Sequence, residues 1–185
     1  DYQIATDGTH VFVNFNLTIA VLNAADGTER WRRQIGNPKY WMPILENGTI
    51  YTKDGELTAW DVTNGERHWT FDNTEHSLTW LSPTVFDSNL YTTAQGLKVI
   101  DTESGELQLQ TDAVPYSQHI HLYSGAETVF ASTGFNVWAV DATDGSLRWK
   151  KRFGSEVILN SVIDEWLFAK VGKGRLVALQ GSGKA

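Results

Sequence analysis

Apolar, β-branched residues occur along this chain in short runs that come in pairs. Val11-Phe12-Val13 is followed by Ile19-Ala20-Val21-Leu22, and Ile50-Tyr51-Thr52 by Leu57-Thr58-Ala59-Trp60. The pattern returns in Leu90-Tyr91-Thr92 with Leu97-Lys98-Val99-Ile100, and in Val129-Phe130-Ala131 with Val137-Trp138-Ala139-Val140. Leu167-Phe168-Ala169 with Leu176-Val177-Ala178-Leu179 completes the series. Turn formers such as Asp54-Gly55, Gln95-Gly96 and Gly134-Phe135 separate the members of a pair. Short apolar runs bounded in this way predict β-strands joined as hairpins. No window sustains a 3.6-residue period with a capping box, so no helix is predicted.

Each pair leads into a turn of constant form. The turns are Asp26-Gly27-Thr28-Glu29-Arg30-Trp31, Asn64-Gly65-Glu66-Arg67-His68-Trp69, Ser104-Gly105-Glu106-Leu107-Gln108-Leu109 and Asp144-Gly145-Ser146-Leu147-Arg148-Trp149, and Ser182-Gly183-Lys184 begins a fifth. Glycines at 27, 65, 105, 145 and 183 mark an internal repeat of roughly 40 residues. Each period then supplies about four short strands, which is the unit of a propeller blade.

The turn chemistry is structural. Asp, Asn or Ser before Gly provides the positive-φ residue that a tight hairpin needs. Asp61, Asp101 and Asp141, with Asn23 in the first repeat, stand four residues before the glycine. Their side chains are placed to accept hydrogen bonds from backbone N–H groups of the turn. The Trp that follows offers a large flat surface to wedge between neighbouring blades, which cannot bury their faces alone.

The segment Ala59-Trp60-Asp61-Val62-Thr63-Asn64-Gly65-Glu66-Arg67-His68-Trp69 resembles the tryptophan-docking motif, Ala-x-Asp-x-x-Thr-Gly-x-x-x-Trp, of the pyrroloquinoline-quinone-like (PQQ-like) repeat β-propellers. Ala139 to Trp149 repeats the match with Asp144 in the Thr position, and Val21 to Trp31 departs at Val21 and Asn23. The third copy has Leu109 where the motif has Trp, and the fifth has Leu179 in the Asp position. The resemblance covers essentially the whole chain and implies an all-β propeller of four-stranded antiparallel blades. It is specific for fold and weak for function. Such repeats serve quinoprotein dehydrogenases as well as non-enzymatic scaffolds, the BamB-like branch among them, and sensor domains.

Counting strands from Tyr2-Gln3-Ile4-Ala5 gives four complete blades and a three-stranded fifth, about 4.5 repeats in a single domain over residues 1–185. PQQ-like propellers usually carry more blades, so the expectation is a piece of a longer propeller rather than a complete five-bladed ring. The chain begins at Asp1 with no leader, either because a targeting segment has been removed or because it starts within a longer protein.

In a propeller, the segments between the Trp strand of one blade and the first strand of the next ring the mouth of a central channel. Here they bring in Lys39, Tyr40 and Trp41, then His76 and Trp80, then Tyr116, His119 and His121, and finally Asn160. Loops on a rigid scaffold are where binding residues collect, and aromatics with polar neighbours suit a protein or peptide surface. Trp41 and Trp80 fit equally well as plugs of the channel or packing under loops, and the sequence leaves both readings open. His119-x-His121 has a spacing that puts both rings on one face of a strand, but no third metal ligand stands near.

Composition narrows the function classes. A chain of 185 residues, 41% hydrophobic and 20% charged, is a folded domain rather than a disordered one. A net charge of −7 argues against nucleic acid as partner. The basic clusters Arg30, Arg32, Arg33 and Lys150, Lys151, Arg152 read as solvated strand ends. Without cysteine there is no disulfide framework, no Cys-based zinc site and no thiol nucleophile. No apolar run approaches the ~18 residues that span a bilayer.

Catalytic signatures are missing as well. Neither a Gly-x-Ser-x-Gly elbow nor His-Glu-x-x-His occurs, and Gly181-Ser182-Gly183-Lys184 has the register of the fifth turn rather than of a phosphate loop. Asp164-Glu165, read as neighbours on a strand, would face opposite ways. A quinoprotein dehydrogenase would need quinone, Ca²⁺ and an Asp base, and family members often add an adjacent cysteine pair that this chain lacks. Asn16-Leu17-Thr18 and Asn47-Gly48-Thr49 are glycosylation sequons of a kind that arise by chance.

The expectation is a non-catalytic protein-binding scaffold without cofactor, metal or catalytic residue, whose partner is another protein or peptide. The alternatives are a sensor domain taking a small ligand or peptide, and a fragment of a PQQ-dependent dehydrogenase. The resemblance, and not the residues, implies an extracytoplasmic setting such as a cell envelope, periplasm or secretory lumen.

Overall fold

The computed structural model describes residues 3–15, 17–35, 43–54, 56–72, 83–93, 96–115, 120–125 and 127–182. Among these residues there are 19 strands and no helix. The first sheet is β1 (Gln3–Thr6), β2 (His10–Phe15), β3 (Thr18–Asn23) and β4 (Glu29–Gln34). The second is β5 (Ile44–Glu46), β6 (Thr49–Asp54), β7 (Glu56–Asp61) and β8 (Arg67–Phe71). The third is β9 (Thr84–Phe86), β10 (Asn89–Thr93), β11 (Leu97–Asp101) and β12 (Leu107–Thr111). The fourth is β13 (His121–Ser124), β14 (Thr128–Thr133), β15 (Asn136–Asp141) and β16 (Leu147–Arg152). The fifth has three strands, β17 (Val157–Ile163), β18 (Trp166–Val171) and β19 (Arg175–Gln180).

Every sheet is an antiparallel meander in chain order, and every predicted pair of apolar runs forms its second and third strands. The division into four four-stranded sheets and one of three strands is the one expected from the repeat. Registers agree between repeats as well. In each four-stranded sheet the pairing of third and fourth strands shifts at one equivalent place: Val21/Leu22, Ala59/Trp60, Val99/Ile100 and Ala139/Val140. This bulge had no signature in the residues. It follows from the turn, where Asp61 N–H donates to Glu66 O at 2.8 Å and Gly65 N–H to Asp61 O at 2.9 Å.

Two of the turn carboxylates act as expected. Asp61 Oδ1 accepts the N–H groups of Thr63 and Asn64 at 2.7 and 3.1 Å, and Asp141 Oδ1 those of Thr143 and Asp144. In the first repeat Asn23 instead donates its amide to Thr28 Oγ1 at 2.6 Å, while Asp26 accepts Thr28 N–H at 2.9 Å just as Asn64 and Asp144 accept the N–H groups of Glu66 and Ser146. An amide can donate where a carboxylate cannot, so the turn closes by another route.

By its internal contacts the chain divides into two compact units, Asp1–Ser77 with Glu103–Glu106, and Leu78–Thr102 with Leu107–Ala185. In the first, Phe12, Ile19, Val21 and Trp31 from one face of the first sheet pack with Ile50 and Val62 of the second. In the second unit, Tyr91, Leu97 and Val99 of the third sheet pack with Val129, Ala131, Trp138 and Val140 of the fourth. There too, Phe130, Val137 and Ala139 on the other face of the fourth sheet pack with Leu167, Ala169 and Leu179 of the fifth. The same rule holds in all three cores. The face bearing the aromatic of the second strand (Phe12, Tyr91 or Phe130), here called the front, meets the back of the following sheet.

Candidate binding surface

Four connections lead from a Trp-type strand to the next sheet. Those after β4 and β8, and much of that after β12, fall outside the described residues, and so do Lys39, Tyr40, Trp41, His76, Trp80, Tyr116 and His119. The connection from β16 to β17 is described, and it is pinned on both sides. Phe153 N–H donates to Phe135 O and Val157 N–H to Gly134 O, each at 2.8 Å, which ties it to the β14–β15 hairpin. Gly172 N–H donates to Glu156 O at 2.8 Å, which ties it to the β18–β19 hairpin. After β4, Ile35 N–H donates to Leu17 O in the same manner. A segment fixed at both margins presents its side chains without paying much ordering entropy on binding.

Two of the residues predicted for the surface are described. His121 opens β13, is exposed, and stands opposite Ser132, whose buried hydroxyl has no partner. Asn160 is exposed on β17 at the bulge between Leu159 and Ser161. A bulge residue escapes the strict alternation of faces, which leaves Asn160 outside the apolar stripe of its strand. β13 and β17 are in contact, so the two residues stand on neighbouring strands.

Sequence reading passed over Lys173 and Arg175. Together with Gly154, Ser155, Gly172 and Gly174 they line an open cleft of about 380 Å³ between the β16–β17 connection and the β18–β19 hairpin. Two cations over a glycine-rich backbone suit a carboxylate of an incoming chain. A signal was available: Gly-Lys-Gly-Arg occupies the hairpin slot that holds Asp54-Gly55 and Gln95-Gly96 in other repeats.

The perturbed acids belong to the turns rather than to a catalytic centre. The Thr63 hydroxyl beside Asp61 holds that carboxyl below its ordinary range, and the Arg148 guanidinium does the same for Asp141. Asp164 and Glu165 are not on a strand as expected. They form the β17–β18 turn, with Asp164 at φ 52°, and Glu165 reaches Thr128 and Arg148 of the fourth sheet. Among the described residues no group of three His, Cys, Asp or Glu side chains is placed to hold a metal ion, and no helix is long and apolar enough to cross a membrane.

Meandering antiparallel sheets, with Trp31 resting on the turn glycine Gly65 and Trp69 on the turn glycine Gly105, define a β-propeller of PQQ-like repeats. The chain belongs to the family of the outer membrane protein assembly factor BamB, whose sequence model matches it twice, over residues 2–100 and 93–185. The outer membrane protein assembly factor BamB of Yersinia pestis is 21% identical over 206 residues, which take in 97% of this chain and 50% of that protein. The chain therefore spans about half the length of this relative. The crystal structure of BamB from Moraxella catarrhalis matches 98% of the chain and 61% of its own, with a TM-score of 0.70 and 20% identity. A quinohemoprotein alcohol dehydrogenase from Pseudomonas putida HK5 matches 97% of the chain and 40% of its own, with a TM-score of 0.65 and 14% identity. At such identities the structural likenesses show the fold alone.

Proposed function

We propose that this chain is a non-catalytic protein-binding scaffold of the cell envelope, serving the assembly of outer membrane proteins as the name of its relatives implies. Membership of the BamB family is the observation that carries the reading. The geometry supports it. The described connection between sheets is held on both margins by hairpins, and exposed His121, Asn160, Lys173 and Arg175 stand on that rigid frame. We take residues 1–185 as one propeller domain whose between-repeat connections, including Lys39, Tyr40, Trp41, His76, Trp80, Tyr116 and His119, form the docking rim. Its partner is another protein or peptide, and its setting is extracytoplasmic.

The dehydrogenase reading finds less support. The chain has no cysteine, Asp61 and Asp141 are engaged in a turn and an ion pair, and among the described residues no three acidic or histidine side chains are gathered for a metal ion.

The test is a crosslinking capture from a native envelope extract, with the chain as bait beside a Trp41→Ala, Trp80→Ala double variant and a Lys173→Glu, Arg175→Glu double variant. One dominant outer membrane assembly partner, reduced at least tenfold by either variant, is the expected result. Capture unchanged by both would overturn the docking rim. Stabilisation by a small ligand, or by quinone with Ca²⁺, in place of any protein partner would overturn the scaffold.

A further inference from the structure

In three repeats the residue before the docking position faces the acid that stands four residues ahead of the turn glycine. Arg148 donates from Nε and Nη2 to Asp141 Oδ2 at 3.1 and 2.7 Å, and Gln108 donates to Asp101 Oδ2 at 3.0 Å. His68 Nε2 lies 3.9 Å from Asp61 Oδ2. The first repeat breaks the pattern, because Asn23 stands in the position of the acid. An amide has no charge to pair with a guanidinium, and Asn23 gives its N–H to Thr28. Arg30 turns to His10 Nε2 instead, and the other ring nitrogen, Nδ1, lies 2.9 Å from Asp7 Oδ2. A carboxylate from the β1–β2 turn therefore reaches Arg30 through an imidazole.

The protonation of that ring follows from its neighbours. A guanidinium only donates, so Nε2 accepts and bears no proton, and the ring proton sits on Nδ1 and is donated to Asp7. His10 is 7% exposed and held in place. Asp7 Oδ1 takes the N–H groups of Thr9 and His10 at 2.8 and 2.7 Å, and the Thr6 hydroxyl donates to His10 O at 2.7 Å. Arg30 is exposed and has no ion pair among the described residues, so it is the member free to leave.

The surroundings offer Arg30 no second anchor. Glu29, its neighbour on β4, is taken by Arg32. In the fourth repeat Thr128, opposite Asp141 as His10 is opposite Asn23, is reached by Glu165 of the next sheet. The counterpart of Glu165 in the second sheet is Gly48, since Val62 N–H donates to Gly48 O as Gly181 N–H donates to Glu165 O. The charge that the apposed face of the second sheet brings is exposed Arg67, in a row with Ile50 and Trp60, and a cation repels Arg30.

We propose that His10 is a pH-operated tie: neutral, it links Arg30 to Asp7, and protonated at Nε2 it releases Arg30 while keeping Asp7. A proton taken up from solvent at Nε2 sets two N–H donors face to face and brings like charges into contact. The bond to Asp7 persists, because Nδ1 keeps its proton and the ring gains charge. Arg30 immediately precedes Trp31, so the release falls beside the ring that joins the first sheet to the second.

Nitrogen NMR of the chain from about pH 8 to pH 5, with histidine and arginine labelled, tests this. At pH 8 His10 should show an unprotonated Nε2 and a protonated Nδ1, with the Arg30 side-chain N–H signals slow to exchange. Toward pH 5 Nε2 should gain a proton, and the Arg30 signals should be lost to fast exchange. Asn23→Asp places a carboxylate where Asp141 stands, and Asp occupies this position in the next three repeats, so the fold should survive. In that variant Arg30 should stay protected at pH 5. A proton on Nε2 at pH 8, a ring that remains neutral at pH 5, or Arg30 signals indifferent to pH would each overturn the proposal. So would an Asn23→Asp chain whose Arg30 signals follow pH as in the wild type. None of these readouts depends on the scaffold function proposed above.

Discussion

Trp31 lies with its indole ring on Gly65, so close that a Cβ at Gly65 would stand 2.6 Å from Trp31 Cδ2. The indole N–H reaches Val62 O at 2.8 Å, three residues before the same glycine. The arrangement recurs between Trp69 and Gly105, again with 2.6 Å to the ring, and between Leu109 and Gly145 with 2.8 Å to Cδ2. The motif glycine is therefore demanded twice, by the positive φ of its turn and by the ring resting on it.

These two demands are separable by mutation. Gly27 has φ 72° with nothing near its Cβ position, and Gly65 has φ 68° with Trp31 on top. Gly27→Ala should cost about 1–2 kcal/mol from the left-handed backbone alone. Gly65→Ala should add the overpacking penalty, for a total of roughly 3 kcal/mol or more. Urea unfolding monitored by tryptophan fluorescence reads both, and equal losses would mean that the ring contact carries no weight.

Replacing the docked side chain should follow the same order. Trp31→Ala removes a buried ring and a hydrogen bond from its carbonyl acceptor, and should cost about 3–5 kcal/mol. Leu109→Ala should cost about 1–2 kcal/mol, because Leu109 is half-buried and has no N–H to lose. Thermal unfolding of the two variants side by side gives the comparison, and a larger loss at Leu109 would reverse the ranking of the joints.

Much of this was legible in the residues. The paired apolar runs placed the second and third strands of every sheet, and the spacing of Gly27, Gly65, Gly105 and Gly145 placed the repeats, because both signals are local. The bulge at Ala59/Trp60 was not legible, since it comes from backbone hydrogen bonds that any side chains of the right turn would permit. Glu165 was misplaced for a related reason: an apolar flank on both sides hides a two-residue turn, and Asp164 at φ 52° has no glycine to announce it. At the rim, the aromatic content of the connections drew notice to residues outside the described set, while the Gly-Lys-Gly-Arg hairpin was passed over.

Arg148 should prove the polar tie between the last two sheets. Its Nε and Nη2 donate to Asp141 Oδ2 at 3.1 and 2.7 Å, and Nη1 donates to Thr128 Oγ1 at 2.7 Å and lies 3.5 Å from Glu165 Oε2. Thr128 is fully buried, so its hydroxyl cannot turn to water instead. Arg148→Ala is expected to cost about 2 kcal/mol, and Arg148→Lys to recover less than half of it, since an ammonium cannot reproduce the forked geometry. Calorimetry of the two variants checks this, and full rescue by Lys would reduce the tie to a simple charge contact.

Acid should loosen the turns in a defined window. Burial pushes the Asp7 carboxyl up, but the His10 ring and the N–H groups of His10 and Thr9 outweigh it and hold the carboxyl at about 2. Asp61 and Asp141 are likewise lowered, through the Thr63 hydroxyl and the Arg148 guanidinium. A carboxyl more acidic in the folded chain than in the unfolded one binds its proton preferentially in the unfolded chain. Its contribution is thus fully present above the ordinary value of 3.8 and is lost as the pH falls toward 2. The urea midpoint should stay level from pH 7 to pH 5 with respect to these three groups and drop steeply between pH 4 and pH 2. Asp7→Asn should lower the midpoint at pH 7 and flatten the drop, because the variant has one fewer carboxylate to protonate. A variant with the wild-type slope would show that Asp7 does not carry the acid sensitivity, and would shift the assignment to Asp61 and Asp141.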